Sequence, residues 1–154
     1  MSDITLRFTA ACESETAQLN RLGEVLNEEQ RVLINGLTLH LEPVARAKAV
    51  LLEELASLSV LRERCLFELG IDSQAALNGW LVDKPAALVA WQALQSALHK
   101  VQAINDLNGQ FINEKMTRTD EALKVLREAA ISTLGYERNG SPPSLGGGRR
   151  FGSV

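Results

Sequence analysis

The chain has 154 residues, a length that suits one domain around one core. Hydrophobic residues make up 45% and aromatics only 5%. Leucine and alanine carry most of that content, which favours helices over a sheet. Three of the 16 bases (Arg138, Arg149, Arg150) and none of the 19 acids lie from residue 138 on, so the body holds 13 bases against 19 acids, or −6. An acidic body is a poor phosphate binder, which argues against nucleic acid as a partner.

The opening "MSDITLRFTA" lacks the basic region, apolar run and small-residue site of a secretion signal. No stretch reaches the ~18 apolar residues that span a bilayer, so no stable membrane insertion is expected. A cytoplasmic protein with two reduced thiols, Cys12 and Cys65, fits this picture. Cys65 falls on an apolar stripe and reads as a small buried hydrophobe, with a disulfide to Cys12 as the alternative. No Cys/His cluster suggests a metal.

Residues 1 to about 12 read as a short lead. A first helix is expected from about residue 13 to 34. Leu19, Leu22, Leu26 and Leu33 form its stripe, Ser14 or Thr16 supplies its cap, and Asn35-Gly36 stops it. A second helix starts at Thr38 or Pro43 and runs to Leu69. Leu51, Leu55, Leu58, Cys65 and Leu69 line it, Leu52, Leu61 and Leu66 widen the stripe, and Gly70 ends it. A short third helix follows Asp72, a possible cap, and covers about residues 73 to 82, with Trp80 and Leu81 pinning it to the core. Lys84-Pro85 opens the last helix, which reaches about residue 133 with only Gly109 against the pattern. At 1.5 Å per residue such a helix is ~70 Å long, more than a globule of this size is wide. The remainder, "NGSPPSLGGGRRFGSV", is aperiodic and reads as a disordered Gly/Ser/Pro/Arg tail. The organisation is thus a helical domain over 1–137 and a tail over 138–154. The fold class is all-α, an antiparallel helical bundle or coiled-coil hairpin with one long C-terminal helix.

Asn108-Gly109 sits inside that helix, with the apolar stripe running through it in phase. A mid-helix glycine costs ~1 kcal/mol relative to alanine. Three readings stand: a close helix crossing, a mobile joint between two halves, or a true break.

No catalytic constellation can be assembled. His40 and His99 are isolated, and Glu28, Glu29, Glu53, Glu54, Glu63 and Glu68 read as solvated helix faces. Trp80 and Trp91 read as core, or as the aromatic rim of a groove. No enzyme, cofactor or metal is expected. The last helix is too long to bury all its apolar face against two shorter ones, and a surplus amphipathic face accepts another amphipathic helix.

Three stretches resemble the FlgN family, the flagellar export chaperones for hook-filament junction proteins. The first runs from "LGEVLNEEQ" to "LFELGI". It is similar to the family's pattern of an acidic pair (Glu28-Glu29), a helix stop (Asn35-Gly36), a lysine before paired leucines (Lys48, Leu51-Leu52), an arginine (Arg62 or Arg64) and a glycine (Gly70). The second, "INDLNGQFI", resembles an Asn-x-x-Asn-Gly-x-x-Ile signature at Asn105, Asn108, Gly109 and Ile112. The third, "LGYERNGSPPSLGGGRRFGSV", looks like the family's tyrosine (Tyr136) followed by a glycine-containing turn and tail.

The resemblance implies a cytoplasmic, non-enzymatic, all-α chaperone. Such a chaperone binds the C-terminal helical segments of junction proteins, prevents their premature assembly and delivers them to the cytoplasmic part of the export gate. The expected cargo surface comprises Ile104, Asn108, Gly109, Phe111, Ile112, Leu123 and Leu126, and Tyr136 is the expected gate contact. The export ATPase is a further candidate partner, and a homo-oligomer stays open. The competing readings are a self-associating coiled-coil adaptor and a chaperone of a related secretion system.

Overall fold

Ser2 opens the first helix. Its hydroxyl accepts a hydrogen bond from the Thr5 amide at 3.4 Å, and Asp3 places a negative charge in the first turn. In the computed structural model, which describes residues 2–133, α1 therefore covers Asp3–Asn35. It begins ten residues earlier than the leucine stripe indicates, at residue 3 rather than 13. The expected lead is helical, and the expected cap Thr16 lies in mid-helix. Its hydroxyl and that of Thr9 each donate to the carbonyl four residues back, at 2.8 Å.

Gly36, at φ 66°, ends α1 in the left-handed conformation open to glycine. A single 3-10 turn, Thr38–His40, leads into α2, Leu41–Glu68, with Pro43 in its first turn. Gly70, at φ 69°, reverses the chain after α2. Ser73, not Asp72, caps α3 (Gln74–Leu81), accepting from the Ala76 amide at 3.1 Å. α4 then runs unbroken from Pro85 to Thr133. Tyr136 and the tail expected from residue 138 lie outside the described residues.

The chain divides into two units, between Asn108 and Gly109. The first is an up-down-up bundle of α1, α2 and the start of α4, closed at one end by α3. Along α1 the buried positions Thr5, Phe8, Cys12, Glu15, Leu19, Leu22, Leu26, Glu29 and Leu33 alternate by three and four, and Ala11, Gln18 and Val32 widen the stripe. That is a heptad seam, and α2 runs antiparallel along it. Arg62 meets Glu15 at 2.9 Å and Lys48 meets Glu29 at 3.7 Å. The two ion pairs lie 14 residues apart on each helix (15 to 29, 62 to 48), so both report one register. Arg7 adds a third link, exposed, to Glu68 at 2.8 Å.

Up to Asn108, α4 runs parallel to α1. Its Trp91 packs near Phe8, with ring centroids 6.2 Å apart, and Asn108 reaches Leu26 and Glu29. Trp80 of α3 meets Phe8 edge-on at 5.2 Å. Both tryptophans are partly buried against the core. Of the leucines expected to widen the α2 stripe, Leu66 packs on the core, while Leu52 and Leu61 are exposed. Cys12 and Cys65 are both buried, free thiols in this core. Burial pushes the Cys12 thiol up to about 12, which keeps it protonated.

Candidate functional site

α4 changes character along its length. Over its first half, Ala87, Ala90, Leu94, Ala97 and Val101 are buried, Ile104 is partly so, and Asn108 is 1% exposed. These positions alternate by three and four, and the next two steps of the same seam fall on Phe111 and Lys115. Phe111 is partly buried, and Lys115 is exposed.

Asn108 is a polar residue at a core position of the seam. Its amide nitrogen donates to the Leu26 carbonyl at 2.8 Å and to Glu29 Oε1 at 3.0 Å. The neighbouring Asn105 accepts from Lys48 Nζ at 2.9 Å. Glu29, expected on the surface, is therefore inside the bundle, between Lys48 and Asn108. Such pairs fix helix register, although here the Asn108 Oδ1 is buried without a hydrogen-bond partner among the described residues. A second charged layer pairs Glu15 with Arg62, whose guanidinium also lies 5.6 Å from the Trp91 ring centre. Burial raises the Glu15 carboxyl above the usual carboxylate value, and the Arg62 charge opposes the rise.

From Ile112 a new apolar seam begins, one residue beyond the position the first would take. Ile112, Met116, Thr119, Leu123, Leu126 and Ala130 are spaced by four and three, and all are exposed. Ile112 is 39% exposed, Met116 and Leu123 53%, and Leu126 66%. The stripe thus does not run through Gly109 in phase; it slips there by one residue. A Cβ built on Gly109 meets nothing within 4 Å, which removes the close-crossing reading, and the unbroken α4 removes the break.

The expected cargo residues therefore separate. Ile104 and Asn108 belong to the bundle, Gly109 marks the slip, Phe111 is partly buried, and Ile112, Leu123 and Leu126 share the exposed seam. Met116, Thr119 and Ala130 complete that seam and were missed, although the three-four spacing from Ile112 marks them.

A cleft of about 400 Å³ opens in the first unit beside Arg62, Phe67, Ile71, Leu77 and Trp91. Glu63, Asp72 and Ser73 also line it, and the Ser73 hydroxyl is engaged as the α3 cap, accepting from the Ala76 amide. Among the described residues no cluster of three His, Cys, Asp or Glu is placed to hold a metal, and no helix is long and apolar enough to cross a membrane.

A family model described as FlgN protein matches residues 2–144. The chain belongs to the FlgN family. FlgN proteins are flagellar export chaperones for hook-filament junction proteins, a chaperone family rather than an enzyme family. FlgN membership implies partners among the flagellar hook-associated proteins. No curated protein and no solved structure matches this FlgN chain.

Proposed function

We propose that this cytoplasmic chaperone captures the C-terminal helical segments of hook-filament junction proteins along the second half of α4, keeps them from assembling early, and hands them to the export gate. The observation that carries the reading is the exposed seam from Ile112 to Ala130, an apolar face that the bundle does not need, since the bundle closes its own core with Phe8, Leu26, Leu81 and Leu94. Ile112, Leu123 and Leu126, joined by Met116 and flanked by Phe111, are the client contacts. Asn108 and Ile104 hold α4 in the bundle, and Gly109 is the joint at which the client-bearing half begins.

The energetics suit a reversible complex. Completing the burial of four half-exposed side chains yields roughly 4–8 kcal/mol at ~25 cal/mol per Å². Ordering a disordered client segment costs about 2–5 kcal/mol of that. The loss of translational and rotational freedom on association takes a further share, so a weak, readily reversed complex is expected.

Calorimetry of the purified protein with C-terminal peptides of junction proteins tests the reading. Saturable binding that Leu126→Asp removes supports it; absence of binding by every such peptide sinks it. Tyr136 is the proposed gate contact, and a Tyr136→Ala variant that binds cargo but also supports normal export removes it from that role. Light scattering separates the competing adaptor: a stable dimer without cargo favours self-association. The export ATPase is tested by the same titration with that protein in the cell.

A further inference from the structure

Resting on the reading of residues 112–130 as the client surface, we infer that the seam also selects its client, by a polar key at its third layer and vacant space at its last. The six layers are Ile112, Met116, Thr119, Leu123, Leu126 and Ala130. Their mean spacing of about 3.5 residues is the period a second helix must share to stay in contact. The seam is ~27 Å long at 1.5 Å per residue, so the helix that fills it has about 18 to 21 residues.

Thr119 is the polar layer. Its hydroxyl already donates to the Lys115 carbonyl at 2.9 Å, so what it offers a neighbour is an acceptor. A leucine laid over it strips that oxygen of water and returns nothing. An asparagine or glutamine amide there donates to it. At the far end Ala130 stands beside Ala129, with Ala122 one heptad earlier on the same edge, and these small residues leave room for a large apolar client side chain.

A second copy of the chain fits this seam less well. Parallel pairing sets Thr119 on Thr119 and Ala130 on Ala130, leaving two of the six layers underfilled. Antiparallel pairing sets Thr119 on Leu123, which leaves the hydroxyl oxygen dry, and brings Asp120 towards its own copy. The occupant is therefore a foreign amphipathic helix with heptad spacing. It places a donor amide opposite Thr119 and a bulky apolar residue opposite Ala130.

The test uses the full-length protein and fluorescent peptides of about 21 residues, three heptads, with leucine at the core layers. Two peptides carry a single asparagine at the third or the fourth layer, covering both chain directions. A control carries it at the second. Fluorescence anisotropy is expected to show one of the first two binding about tenfold more tightly than the control. That ratio disappears in Thr119→Leu, and Leu126→Asp abolishes binding of all three.

Equal binding of all three to the unaltered protein overturns the key while leaving client capture intact. Binding of authentic junction-protein tails but of no heptad peptide overturns the shared period. Failure of both peptides and tails overturns the client reading itself. A Leu126→Asp-sensitive dimer in sedimentation assigns the seam to a second copy and overturns the inference as well.

Discussion

The two halves of α4 are built from similar residues and differ in what covers them. Both carry an apolar residue every three or four positions. The first half closes its seam against α1 and α2 and locks it with Asn108, Glu29 and Lys48. The second half repeats the pattern one residue out of step and leaves it exposed. Periodicity alone says that a helix has an apolar face; polar residues placed within that face say whether the partner is already part of the fold.

This contrast is open to direct attack. The largest effect on stability is expected from Arg62→Ala. It leaves the Glu15 carboxylate buried without its partner and removes the contact with Trp91, so urea unfolding should show a loss of about 3 kcal/mol at pH 7. The deficit should shrink as the pH is lowered towards 5. Burial already holds the folded-state carboxyl above its unfolded value. In that window the folded state binds the proton more readily, so its stability relative to the unfolded chain rises on acidification and falls as the pH rises. A deficit that stays constant with pH would show that Glu15 is not the group left uncompensated.

Asn108→Ala should cost about 2 kcal/mol, through loss of the bonds to Leu26 and Glu29 in a closed core. Hydrogen exchange should show the last turns of the bundle half of α4 losing protection first. Gly109→Ala should act in the other direction, stabilising the helix by up to ~1 kcal/mol, because the new methyl group meets nothing. If the joint is used, the same change weakens client binding despite the gain in stability; unchanged binding would strip Gly109 of that role. Leu126→Asp should shift the unfolding midpoint least, by under about 0.5 kcal/mol at a surface position, while abolishing capture. A large loss of stability there would mean that Leu126 belongs to the folded core.

Much of the architecture was legible in the sequence. Asn35-Gly36, Gly70 and Pro85 punctuate the chain where the structure does, because their backbone constraints are local. The start of α1 was hidden because Thr5 and Thr9 look like loop residues; they are compatible with a helix since Thr5 completes the Ser2 cap and Thr9 bonds to its own backbone. Glu15 and Glu29 were missed for a different reason. Their place on the seam, in step with Cys12, Leu19, Leu26 and Leu33, was readable, but the bases that make burial tolerable lie 47 and 19 residues away, on another helix. The candidate site was only half legible. Ile112, Leu123 and Leu126 followed from spacing, whereas Asn108 looked like surface until α1 was set beside it, and the slip at Gly109 needed the burial pattern to be seen.

Two ion pairs at matched intervals bar α1 and α2 from sliding past one another by a heptad, a fault that leucine repeats alone would permit. The contacts that set this register all lie before residue 109. If the exposed half of α4 receives a client as proposed, its sequence can change in step with that helix while the bonds that set the bundle register stay as they are.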